Sequence, residues 1–115
     1  MNTLYGIKNC DTVKKTRRWL DDNQIDYRFH DFRADGLEKT QINAWVAELG
    51  WETLINKRST TWKALDDSVK NSLNDQSIID VIADNPTLIK RPLLDTGAMR
   101  RVGFKAADYE TLFLN

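Results

Sequence analysis

The chain carries one cysteine, Cys10, within Thr3-Leu4-Tyr5-Gly6-Ile7-Lys8-Asn9-Cys10-Asp11-Thr12-Val13-Lys14-Lys15. This stretch opens as a short β-type run and closes in residues of helical pattern, so Cys10 stands at the join. A side chain there meets unpaired backbone N–H groups and the positive end of the helix dipole. Proteins bind anions and make reactive thiolates at such places. The chemistry suggested is nucleophilic attack by sulfur. A helix end alone contributes about 0.3–1 kcal/mol to an ionised group, and the neighbouring Asp11 works against it. A reactive thiolate therefore needs cations from elsewhere. Lys8 is local, and Arg58, Arg91, Arg100 and Arg101 are the distant candidates. The alternative role for a lone cysteine is that of a small buried hydrophobe.

Other chemistry finds little support. One cysteine and one histidine exclude the usual structural zinc sets, so no metal site is expected. His30 is the only imidazole. It lies in Tyr27-Arg28-Phe29-His30-Asp31-Phe32, which alternates like a strand, and it reads as an ordinary strand residue. Lys14, Lys15, Arg17 and Arg18 read as a solvated helix face. Lysine plus arginine and aspartate plus glutamate both total 17. No global field then favours nucleic acid or an anionic membrane. Without a helix-turn-helix pattern, direct nucleic-acid binding is not expected. No apolar run approaches the roughly 20 residues of a membrane span, and the N-terminus lacks a signal-peptide pattern. The single thiol has no partner for an internal disulfide. The chain is thus expected in the cytoplasm, where thiols stay reduced, as a monomer.

The elements that must position Cys10 follow from periodicity. Residues 3–7 read as a strand. The helix after Cys10 runs to about Asn23, with Val13, Thr16 and Leu20 on one buried face. Residues 27–32 form a second strand, making a parallel βαβ unit. Ile42, Trp45, Val46 and Leu49 fall at i, i+3, i+4, i+7, an amphipathic helix stopped by Gly50. Residues 51–67 read as irregular, with Leu54, Ile55 and Trp62 as anchors. Trp51 and Trp62 are expected in the core rather than lining a pocket. Ser68–Leu73 reads as a short helix and Ser77–Asp84 as another, with Pro86 beyond its end. Leu88–Leu94 is apolar and extended, with Pro92 at the strand's beginning because it cannot donate to a ladder. Asp95–Ala98 turns into a strand at Arg100–Val102 to complete an antiparallel hairpin. A last helix runs from about Ala106 to Phe113. With 115 residues and no repeat or linker, one domain over residues 1–115 is expected, its helical insert at about 37–86. The fold class is α/β: a thioredoxin-like order of β-α-β, helical insert, β-β-α around a mixed four-stranded sheet.

These residues resemble a known family. Gly-Ile-Lys-Asn-Cys-Asp-Thr-Val-Lys-Lys is followed by Trp19-Leu20, Tyr27 with Phe29-His30-Asp31, Gly36-Leu37, Trp45 and Gly50-Trp51. Next come Asn56-Lys57-Arg58-Ser59-Thr60-Thr61-Trp62, Lys90-Arg91-Pro92-Leu93 and Val102-Gly103-Phe104. The set is similar to the YffB-like branch of the arsenate reductase (ArsC)/Spx family. The resemblance covers nearly the whole chain and implies a thioredoxin-like fold with a helical insert. It implies Cys10 as nucleophile and Arg91 as the arginine preceding a proline, Pro92, that is typically cis. Arg100 or Arg101 corresponds to the family's last arginine. Arg58 is the candidate for the middle one, where an ungapped comparison with the arsenate reductases instead places Asn56. Asn9 and Thr12 flank the nucleophile as structural residues of the site.

The implied activity is that of an oxidoreductase: a glutathione-dependent thiol reductase whose single cysteine is resolved by an external thiol. Val13 stands where a Cys-x-x-Cys pair would have its second sulfur. Glutathione is then the expected cosubstrate, with glutaredoxin as a possible partner and no bound cofactor. Asp11 departs from the small uncharged residue of the arsenate reductases, and a carboxylate beside an arsenate oxyanion is repulsive. Two alternatives belong to other classes. One is an Spx-like regulator that binds RNA polymerase, and the other is a family member without activity.

Overall fold

The computed structural model describes residues 1–114, so Asn115, the last residue of the expected domain, lies outside the described residues. The chain divides into two compact units, residues 1–31 with the chain from Arg91 onward, and residues Phe32–Lys90. The second contains the insert expected at about 37–86.

The first unit is a mixed four-stranded sheet with two helices. Its strands are β1 (Thr3–Gly6), β2 (Arg28–Asp31), β3 (Leu93–Asp95) and β4 (Arg100–Val102). They lie in the order β2-β1-β3-β4. β1 pairs in parallel with β2, and the β1–β3 and β3–β4 pairs are antiparallel. Helix α1 (Asp11–Asp22) buries Val13, Thr16 and Leu20, as its periodicity requires. Thr16 meets the cost of its buried hydroxyl by donating to the Thr12 carbonyl at 2.7 Å, a back-bond within one turn. The helix ends at Asn23, whose backbone N–H and side-chain amide both donate to the Trp19 carbonyl. Gln24 then turns the chain with φ 55°.

Leu4 and Leu94 are opposite one another in the sheet. With Leu20 of α1 and Tyr109 of the final helix they form a fully buried core cluster. That helix spans Ala106–Phe113, the range read from the sequence. Trp19, Phe104, Tyr109 and Phe113 meet around the core in edge and tilted contacts, with centroids 4.8–6.4 Å apart. Such pairs add to plain area burial.

The second unit is helical. Helix α2 (Lys39–Leu49) buries Ile42, Trp45 and Val46, and Gly50 with φ 81° ends it. A positive φ there costs glycine little and other residues much. The reading of residues 51–67 as irregular is corrected: they contain α3 (Trp51–Leu54) and α4 (Thr60–Ala64). The reason is a local cap, because the Ser59 hydroxyl accepts the Trp62 N–H at 3.1 Å and starts a turn that no apolar period announces. Helices α5 (Asp67–Asn71) and α6 (Ser77–Asp84) follow, the latter burying Ile78 and Ile82. The extended run expected at Leu88–Leu94 is also shorter than read. Residues Pro86–Leu88 form a 3-10 turn. Ile89 makes an isolated bridge to Ile55, and only Leu93–Asp95 belongs to the sheet. The final helix, Ala106–Phe113, is therefore α7. Trp51 and Trp62 are half-buried, and the Lys57 ammonium lies 5.3 and 5.8 Å from their ring centroids.

Candidate active site

Cys10 is the N-cap residue of α1, with extended backbone (φ −111°, ψ 122°) and its carbonyl accepting the Lys14 N–H at 3.0 Å. No side chain caps this helix end. The half-buried, unbonded thiol therefore stands beside amide groups that have no side-chain acceptor. Asp11 occupies the first turn. Lys8, Asn9, Asp11 and Thr12 are exposed.

Two packing features fix this loop. At Gly6, where β1 ends, a Cβ atom would lie 2.8 Å from Val13 Cγ2. Only glycine lets the first turn of α1 approach the strand so closely, and Val13 is fully buried there. The second feature is Asp31, at the end of β2 and level with Gly6 in the parallel register. Asp31 is buried, 7% exposed, and its carboxylate accepts the Lys8 N–H at 3.3 Å. Asp31 thus holds the loop two residues before the thiol. In the sequence Asp31 stands only as part of a strand motif. The signal that could have marked it is a carboxylate in an otherwise apolar alternation, which needs a donor when buried.

Arg91 and Pro92 come to the same end of the sheet. The Arg91–Pro92 bond is cis. Leu93 pairs with Tyr5, so Pro92 lies just past the ladder at the end where β1 runs into the Cys10 loop. The Pro92 carbonyl accepts the Gly103 N–H at 2.9 Å.

Arg100 and Arg101 of the first unit are engaged by carboxylates. Arg100 pairs with Asp95, which pairs with Thr3 at the start of β1, and its Nε lies 3.5 Å from the Asp95 carboxylate. Arg101 alternates to the other face, opposite Leu94, and its guanidinium lies 3.4 Å from Asp108 of α7. Arg58 belongs to the second unit, exposed in a turn where its N–H donates to Asn56 Oδ1 at 3.0 Å. Asn56 is itself tied by its N–H to the Leu88 carbonyl at 2.7 Å. On α1, Arg17 donates to the Tyr27 hydroxyl at 3.1 Å and covers the Phe29 ring at 4.2 Å. His30 stays in β2 with its ring 4.8 Å from that of Tyr5. Among the described residues no group of three or more His, Cys, Asp or Glu could hold a metal ion. No helix among them is long and apolar enough to cross a membrane.

The ArsC family model matches residues 5–112. The chain belongs to the ArsC family. A solved YffB protein is similar to it at 41% identity, covering 96% of this chain and 97% of that one, with a TM-score of 0.93. The solution structure of an arsenate reductase (ArsC) related protein from Brucella melitensis is 40% identical. It covers 97% of this chain and 93% of that one, with a TM-score of 0.79. The global transcriptional regulator Spx of Streptococcus pyogenes is 30% identical over 106 residues, which is 90% of this chain and 78% of that protein. The thioredoxin-like fold expected from the element order is the fold of this ArsC-family chain. Its relatives include both arsenate reductase-related proteins and regulators.

Proposed function

We propose that this ArsC-family protein is a thiol reductase that works through Cys10 alone and is regenerated by an external thiol, glutathione. The carrying observation is the half-buried Cys10 thiol at the uncapped start of α1, at the sheet end where Arg91–Pro92 lies. The Cys10 thiolate attacks one sulfur of a disulfide, forming a mixed disulfide and releasing the other sulfur as a thiolate. A glutathione thiolate then attacks the substrate-bound sulfur or the Cys10 sulfur by ordinary exchange. For a general disulfide a second glutathione completes the release as oxidised glutathione; for a glutathione mixed disulfide attacked at the glutathione sulfur, one external glutathione suffices. Val13 fills the position of a second sulfur and is fully buried against Gly6. The resolving thiol must therefore come from outside, with glutaredoxin as a further donor. Arg91 and Lys8 are the cations proposed to hold carboxylates of the thiol substrate. Asp11 beside the sulfur disfavours an arsenate oxyanion, so a glutathione mixed disulfide is the preferred substrate class.

The test is glutathione-dependent reduction of such a mixed disulfide. Cys10→Ser should abolish turnover with an unchanged circular dichroism spectrum, and undiminished turnover would sink the reading. Faster alkylation of Cys10 at neutral pH than of free cysteine, slowed by glutathione, is the expected companion result.

The Spx relative favours a second reading, a regulator that binds RNA polymerase. Retention of the polymerase on immobilised protein at micromolar concentration, equally in wild type and Cys10→Ser, would favour this reading over the first.

A further inference from the structure

Within the first unit, α1 and the start of α7 flank a groove of about 280 Å³ lined by Lys15, Arg18, Trp19, Asp22, Phe104 and Ala106. Its aromatic floor is firmly set. The Trp19 and Phe104 rings lie 6.4 Å apart, and each packs on Tyr109, at 5.6 and 4.8 Å, which is fully buried. Its cations differ from three arginines of this unit. Arg17 is engaged by Tyr27 and Phe29, Arg100 by Asp95 and Arg101 by Asp108. The side chains of Lys15 and Arg18 have no ion pair or hydrogen bond among the described residues. Two unpaired cations beside an aromatic floor are complementary to a ligand with a negative and an apolar part. Asp22 offsets one charge at the far end of the groove, one helical turn past Arg18.

Size and position narrow the ligand. Small-molecule sites usually run from about 300 to 1,000 Å³, so this groove suits one or two side chains of a passing peptide. Lys15 and Arg18 follow the Cys10 cap by five and eight residues, about 7 and 12 Å of helical rise. Both also stand around the helix from Cys10, by about 140° and 80°, so an extended chain of about four or five residues, at about 3.3 Å each, covers the span. We infer that the Lys15–Arg18–Trp19–Phe104 groove docks an acidic peptide segment bearing an aromatic or aliphatic side chain, a few residues from the sulfur presented to Cys10. The last step rests on the proposed nucleophilic role of Cys10, but the docking itself does not. The thiol substrate is accordingly a polypeptide rather than a free small molecule.

The test uses the wild-type chain and a fluorescein-labelled peptide of sequence Gly-Glu-Phe-Glu-Gly, which has no cysteine, so thiol chemistry plays no part. Fluorescence anisotropy should show saturable binding that weakens with salt. The double variant Lys15→Glu/Arg18→Glu should weaken it at least tenfold, and Lys63→Glu on α4 should leave it unchanged. Replacing both glutamates of the peptide by glutamine should also cost at least tenfold. Equal binding by the double variant with an unchanged circular dichroism spectrum, equal binding of the glutamine peptide, or no binding at millimolar peptide overturns the inference. Failure here with a working Cys10 reductase removes only the docking site, whereas binding without Cys10 activity removes only the enzyme reading.

Discussion

Where β1 runs out, the sheet presents Gly6, the Cys10 loop, Asp31 and the Arg91–Pro92 bond. Where β1 begins, Thr3 pairs with Asp95 and Asp95 with Arg100. Arginines stand near both ends, but one strand step decides their employment. Arg91 lies next to the cis proline, Arg100 is drawn to the carboxylate across the hairpin, and Arg101 alternates to the face covered by α7. The comparison teaches that residue type alone does not assign a cation to a site. Register and the nearest carboxylate do.

That contrast can be broken most severely at Gly6. Gly6→Ala puts a methyl group into Val13, and overpacking of this kind costs about 1–3 kcal/mol. Urea denaturation should show the loss, and Val13→Ala added to it should recover more than additivity allows. Unchanged stability would mean that α1 does not rest on β1 as described.

Arg91 and Arg100 provide the direct comparison between the two ends. On the role proposed for Arg91, Arg91→Ala should slow alkylation of Cys10 at neutral pH by about tenfold, equivalent to about 1.4 kcal/mol. Arg100→Ala should leave that rate unchanged and cost about 0–1 kcal/mol of stability, as partly exposed ion pairs do. Equal effects of the two on the thiol would erase the distinction.

A smaller change is expected at Asp31. Removing the acceptor in Asp31→Ala leaves the Lys8 N–H to water or to nothing, a loss of about 0.5–1.5 kcal/mol, and exchange of that amide should quicken. Asp31→Asn keeps an oxygen acceptor and should exchange nearly as slowly as wild type. Identical behaviour of the two would make the charge, not the hydrogen bond, responsible.

The mildest effect is confined to alkaline pH. Burial pushes the Tyr109 phenol well above its ordinary range, with the nearby Arg101 charge opposing. In the unfolded chain it ionises near 10.0, while the folded protein keeps its proton. The stability this contributes is full below that pH and falls as pH rises beyond it. Of the three tyrosines, Tyr109 should give phenolate absorbance only as the circular dichroism is lost.

Much of the scaffold was legible in local pattern. The Val13, Thr16, Leu20 spacing located α1, Gly50 closed α2, and Ser77–Asp84 was read at its observed limits. Cys10 was recognisable because a strand-to-helix junction is a local event. The short helices α3 and α4 are not legible, since five or fewer residues cannot display a helical period, and α4 is capped by one serine hydroxyl.

Local pattern fixes the order of elements, the single thiol and the valine, Val13, that stands in place of a second sulfur. The partners of the loop before that thiol, and of the cations around the sheet, come from contacts distant in sequence. The Asp31 bond to Lys8 joins residues 23 apart, the pairing of Arg100 depends on hairpin register, and the Trp19–Phe104 contact joins α1 to the loop before α7. The physical reason is one of range. Propensity, periodicity and caps act within a few residues, whereas buried carboxylates and ion pairs find their partners only once strands are in register.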